Sequence, residues 1–97
     1  MLAVYRTVTA TPDPALVERV RRGDVDALTF TSSSTVTNLC DLLGGAPGPQ
    51  PIVASIGPVT SRTAKERGLR VDVEATEHTI DGLVEALLRA LAATGRG

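Results

Sequence analysis

Aromatic side chains are nearly missing from this chain: Tyr5 and Phe30 stand alone, and tryptophan is absent. Such a composition argues against a base-stacking nucleic-acid platform and against an aromatic sandwich for a flavin ring. It also requires the core to be aliphatic. Cysteine is equally scarce, and Cys40 by itself forms no internal disulfide; paired with His78 it still falls short of a four-ligand structural zinc site. Neither sign of charge dominates. Ten basic against eleven acidic residues leave a formal charge of −1, with no excess of cations for a phosphate backbone, so no nucleic-acid partner is expected. No apolar run approaches the roughly 18 residues of a membrane span, and Met1-Leu2-Ala3-Val4 leads straight into an alternating segment rather than a signal peptide. A cytoplasmic location without membrane attachment is the expectation. The glycine signatures of nucleotide sites, GxGxxG and GxxxxGK[ST], do not occur.

What is present alternates regularly between two periods. Residues 2–8 are β-prone, and Asp13 followed by Pro14 reads as a cap and first position of a helix carrying Leu16, Val17 and Val20 until Gly23. Asp26 to Thr31 reads as the next strand. Val36, Leu39, Cys40 and Leu43 then recur at i, i+3, i+4 and i+7, which is helical spacing. Gly44 to Pro49 is a loop by composition, and Ile52 to Ile56 a buried strand. A short helix from Thr60 to Arg67 ends at Gly68, Val71 to Glu74 alternates as a strand, and Thr79 caps a last helix with Leu83, Leu87, Ala90 and Leu91. Gly95-Arg96-Gly97 is a frayed tail. At 97 residues the chain has room for one domain with a thin core, burying about 60–70% of the surface its unfolded form exposes.

Four strands alternating with four helices through short connections specify an α/β fold, a parallel sheet flanked by helices with right-handed crossovers. In such sheets ligands sit beyond the carboxyl ends of the strands, where helix N-termini present free N–H groups. Two turns fall on that edge. Thr31-Ser32-Ser33-Ser34-Thr35 offers a run of hydroxyls, and Gly57-Pro58-Val59-Thr60 offers bare backbone beside the Thr60 hydroxyl; both suit a carboxylate or phosphate. Each turn is also explained by helix capping alone. Arg6, the Arg19, Arg21 and Arg22 group, Cys40 and His78 read more simply as surface, helix-dipole, core and loop residues, respectively.

Five segments in series, Val4-Tyr5-Arg6-Thr7, Asp26 to Ser32, Ile56 to Thr60, Gly68 to Ala75 and Thr79 to Val84, resemble uroporphyrinogen-III synthase over nearly the whole chain. The resemblance implies an enzyme of haem, sirohaem and cobalamin biosynthesis. It would close the linear tetrapyrrole hydroxymethylbilane, invert its last ring and release uroporphyrinogen III and water, without a cofactor or metal. It implies Tyr5 as the residue assisting loss of the substrate hydroxyl, and Ser32 and Thr60 as hydroxyls that bind propionate or acetate groups; Thr31, Ser33, Ser34, Gly57, Pro58 and Val59, from the same two turns, complete the expected substrate site. The family often has Ser-Pro-Ser where Ser32-Ser33-Ser34 stands here.

The family is about twice as long, with two α/β lobes joined by a two-stranded linker. On that pattern residues 1–9 are a linker-type strand and residues 10–97 a partial, flavodoxin-like half-domain, the C-terminal half of the synthase. The strand Asp26 to Thr31 would then carry an unpaired apolar edge, to be met by a second copy or by a complementary N-terminal half. Little activity is expected of the chain alone. A non-catalytic anion or tetrapyrrole binder is the alternative, and a flavodoxin-like phosphate module a third reading.

Overall fold

A computed structural model describes residues 5–9, 11–44 and 51–94. Their elements run in strict alternation: β1 (Tyr5–Val8), α1 (Pro14–Arg21), β2 (Ala27–Phe30), α2 (Ser33–Leu43), β3 (Ile52–Ser55), α3 (Pro58–Glu66), β4 (Val73–Glu74) and α4 (Ile80–Thr94). The four strands form one parallel sheet in the order β1-β2-β3-β4. This is the expected α/β architecture. Residues 2–4, 45–49 and 95–97 of the expected strand, loop and tail lie outside the described residues.

Local chemistry explains the element ends. Asp13 accepts from the Ala15 amide at 2.8 Å and Pro14 opens α1, the arrangement its sequence predicts. Thr79 does the same for α4, its Oγ1 accepting from the Gly82 amide at 3.0 Å. Gly44 closes α2 at φ 78°, where a side chain would be strained.

The sheet is covered on both faces, as parallel sheets require. On one face α1, α2 and α3 bury Val17, Val20, Val36, Leu39, Cys40 and Ala64 against Val8, Leu28, Phe30 and Val53. On the other, α4 lays Leu83, Ala86, Leu87 and Leu91 over Ala27, Ile52 and Ala54. Strands β2 and β3 are buried along their whole length. Each fully buried Leu or Phe stabilises the fold by about 1.5–3 kcal/mol, so this aliphatic core needs no aromatic cluster.

Three expectations are corrected. Helix α3 begins at Pro58, two residues before the expected Thr60, because Gly57 supplies the cap and Pro58 the first turn's preset φ. Strand β4 is shortened to Val73–Glu74. The Asp72 carboxylate, steadied by Arg70 Nε at 2.7 Å, accepts from the Val53 amide at 2.8 Å, so a side chain takes a place in the ladder that a strand carbonyl would fill. The strand Asp26 to Thr31 has no unpaired edge. Tyr5–Val8 pairs with it rung by rung, Tyr5 with Ala27 through Val8 with Phe30, and the outer edge now presents the exposed Arg6 and Thr7.

Candidate functional site

The carboxyl ends of β2 and β3 open side by side into the turns that begin α2 and α3, so residues far apart in sequence meet at one sheet edge. In the first turn, Ser32 is committed to capping. Its Oγ accepts from the Thr35 amide at 3.4 Å, while Thr35 Oγ1 donates to the Ser32 carbonyl at 2.6 Å. The Ser32 and Ser34 hydroxyls lie 3.1 Å apart, and Ser33 Oγ donates to the Val59 carbonyl at 3.4 Å, tying one turn to the other. The serines therefore hold the edge together, and Thr31 is the member of this run that faces the shared cavity.

The second turn is built differently. Gly57 is the N-cap of α3 and, having no side chain, makes no cap hydrogen bond; Pro58 at the first helical position has no N–H. The amides of Val59 and Thr60, which a Ser or Asp cap would bind, have no partner among the described residues. The φ of Gly57 is −174°, an extended conformation open to any residue. Glycine here leaves the helix start bare; no strained backbone demands it. The buried Ser55 holds the turn in place, its Oγ donating to the Gly57 carbonyl at 2.8 Å and accepting from the Gly57 amide at 3.3 Å.

Thr60 is 4% exposed, yet its hydroxyl makes no hydrogen bond among the described residues. Among the described residues no buried side-chain oxygen or nitrogen lacks a partner, so the Thr60 hydroxyl is not sealed in the core and opens to solvent. Thr60 lines a cavity of about 320 Å³ together with Thr31, Gly57, Pro58, Val59 and His78. Of the expected site residues this cavity unites Thr31 with all four of the second turn, and leaves Ser32, Ser33 and Ser34 as its frame. A larger hollow of about 500 Å³ along α3 shares Pro58, and there Glu66 and Glu74 offset Arg62 and Lys65, so its lining carries no excess of positive charge.

Tyr5 is placed elsewhere. Its backbone pairs with Ala27 at the amino end of the sheet, whereas Thr31 follows Phe30 beyond the carboxyl end, about 13 Å away at the rise of a parallel strand. His78, expected to be a solvent-facing loop histidine, is an exposed loop residue as expected, and it also lines this cavity. Three of its ring atoms, Cγ, Cδ2 and Nδ1, lie 3.5–3.6 Å from where a Gly57 Cβ would be, so the ring packs on the bare cap. Its neighbour Thr79 was legible as a cap, but nothing in the local pattern ties residue 78 to residue 57.

A family model described as uroporphyrinogen-III synthase HemD matches residues 1–85. The chain belongs to the uroporphyrinogen-III synthase family. It is 42% identical over 83 residues to a uroporphyrinogen-III synthase of Synechococcus elongatus, a match that takes in 78% of this chain and 31% of that protein. A putative uroporphyrinogen-III synthase of Methanothermobacter thermautotrophicus is 42% identical over 77 residues, covering 75% of this chain and 30% of its own. Among solved structures, a mutant uroporphyrinogen III synthase of Thermus thermophilus superposes with TM-score 0.67 at 26% identity, over 84% of this chain and 36% of that one. The wild-type Thermus thermophilus enzyme superposes with TM-score 0.65 at 22% identity, over 87% and 37%. The chain thus spans about a third of the length of the synthases it matches.

Among the described residues no group of His, Cys, Asp and Glu is arranged to hold a metal ion, and no helix is long and apolar enough to cross a membrane.

Proposed function

We propose that this chain is the C-terminal part of a uroporphyrinogen-III synthase, and that the pocket at the start of α3 grips a propionate or acetate group of hydroxymethylbilane. The observation that carries this reading is the bare cap: two free amides, Val59 and Thr60, stand beside the Thr60 hydroxyl, which has no protein partner among the described residues and opens to solvent from an otherwise buried residue, and beside Thr31. A helix start so arranged favours an anion through hydrogen bonds and the partial positive charge of the helix end. A substrate with eight carboxylates supplies its own charge.

In the complete enzyme the reaction would close the tetrapyrrole with inversion of its last ring and loss of water, in the cytoplasm and without a cofactor. Tyr5 would act on the departing hydroxyl, since a phenol donates a proton or a hydrogen bond to such a group. Residues 1–9 would there serve as the linker strand and residues 10–97 as part of one lobe. Ser32, Ser33 and Ser34 would act from the frame of the pocket. The exposed stripe Ile80, Val84 and Leu88 along α4 supports association with a complementary N-terminal half or with a second copy. A clean monomer in sedimentation at micromolar concentration, with and without the N-terminal segment, would rule out that association.

The decisive assay supplies freshly generated hydroxymethylbilane and scores isomer III against the spontaneously formed isomer I. Little III is expected from the chain alone, and substantial III once the N-terminal half is added. In the active assembly Tyr5→Phe should lower turnover more than binding, and Thr60→Val should weaken binding. If the assembly binds the tetrapyrrole but never makes III, the non-catalytic reading replaces this one.

A further inference from the structure

We infer that His78 forms the third wall of the α3 pocket and donates an imidazole N–H to the anionic group seated there, making it a substrate-positioning residue. This rests on the pocket reading above. His78 is the one titratable side chain among the described residues lining the cavity; the rest of the lining offers amides, hydroxyls and apolar surface. A carboxylate entering beside the Thr60 hydroxyl therefore meets a single imidazole.

His78 is exposed, and the loop that carries it is anchored at both ends. The loop after β4 is tied to the sheet by the Ala75 amide, which donates at 2.9 Å to the carbonyl of Ser55, the same serine whose side chain fixes Gly57. The Thr79 amide donates to the Glu77 carbonyl at 2.8 Å, and the Thr79 hydroxyl in turn receives the Gly82 amide. Gly82 completes the fit. A Cβ on it would lie 2.2 Å from the Glu77 carbonyl oxygen, closer than atoms approach, so the loop can tuck against α4 only because residue 82 has no side chain. The tuck carries His78 over Gly57. There the absence of a Gly57 side chain lets the ring and the two free amides address the same space. A neutral imidazole already carries one N–H, so the role does not depend on its protonation state.

The test titrates uroporphyrinogen III into the 97-residue chain and its variants, following the Val59 and Thr60 amide resonances and the His78 ring resonances by NMR. Both sets are expected to shift together. His78→Ala should weaken binding about tenfold, the loss of one hydrogen bond to a charged group, and His78→Gln, which keeps an N–H donor, should recover most of it. Amide shifts with undiminished binding by His78→Ala would overturn the inference and leave the pocket standing. Equal losses in both variants would also overturn it, because packing of the ring and not its donor would then matter. If the Val59 and Thr60 amides do not move, the pocket reading fails and His78's role fails with it.

Discussion

Ser55 binds both backbone polar groups of Gly57, donating to its carbonyl at 2.8 Å and accepting from its amide at 3.3 Å, with its own side chain fully buried. One hydroxyl at the end of β3 thus sets the direction in which the chain leaves the sheet and starts α3. Ser55→Ala strands the buried Gly57 amide, whereas the carbonyl keeps the Ser61 amide at 3.0 Å. An orphaned buried donor costs about 1–3 kcal/mol, and a drop of that size in the free energy of urea unfolding is the expected result. A midpoint and slope equal to the parent's would show that the turn holds without Ser55.

Gly82 makes the sharpest steric demand. Because the obstructing atom is the Glu77 backbone carbonyl and not a flexible side chain, Gly82→Ala forces the loop of residues 75–79 to shift. Alanine's better helix propensity, worth about 1 kcal/mol over glycine, works in the opposite direction. Net destabilisation of about 1–3 kcal/mol is expected, the usual range for overpacking, with displaced His78 ring resonances. An alanine variant more stable than the parent would show that the loop yields freely.

Most of the fold was readable from spacing. Val36, Leu39, Cys40 and Leu43 recur at helical intervals, and Asp13-Pro14 and Thr79 are capping residues whose chemistry is local, so both kinds of signal survive without tertiary information. The start of α3 was misplaced because Gly-Pro was weighted as a turn, although glycine at the cap and proline at the first position open a helix equally well. The shortening of β4 could not be read in this way, since alternation does not reveal that the Asp72 carboxylate replaces a ladder partner. The site divides along the same line. Thr31 and the Gly57 to Thr60 turn lie at strand ends, which topology alone brings together. His78 reaches them through the close approach of Glu77 to Gly82, a contact with no periodic signature.

Cys40 gives the fold a pH dependence at its alkaline end. Burial pushes its thiol above the ordinary value of 9.0; Arg67, ion-paired with Asp41, works against this and Asp41 adds to it. As pH rises through about 9 the unfolded chain loses the thiol proton before the folded chain does, so the unfolded state binds fewer protons and stability falls. Thermal unfolding from pH 8 to 10 should show this decline, and Cys40→Ala should show a shallower one from a lower starting stability. The buried thiol should also resist iodoacetamide until urea unfolds the chain. Parallel slopes for parent and variant would assign the decline to other groups.

The bare cap of α3 separates stability from binding at a single position. In Gly57→Ser the new Cβ would sit 3.5 Å from the His78 ring, an ordinary contact, and the backbone is already extended, so the variant is expected to fold unchanged. Its hydroxyl would accept from the Val59 or Thr60 amide, as Ser32 accepts from Thr35 at the start of α2. Serine and glycine caps differ by only a few tenths of a kcal/mol, so urea unfolding should barely move. Binding should respond much more, because the internal cap now occupies a donor that the ligand carboxylate would use. A loss of about tenfold in affinity for uroporphyrinogen III is expected, that of one charge-assisted hydrogen bond. Full affinity in this variant would mean that the amides at the start of α3 are not where the carboxylate sits.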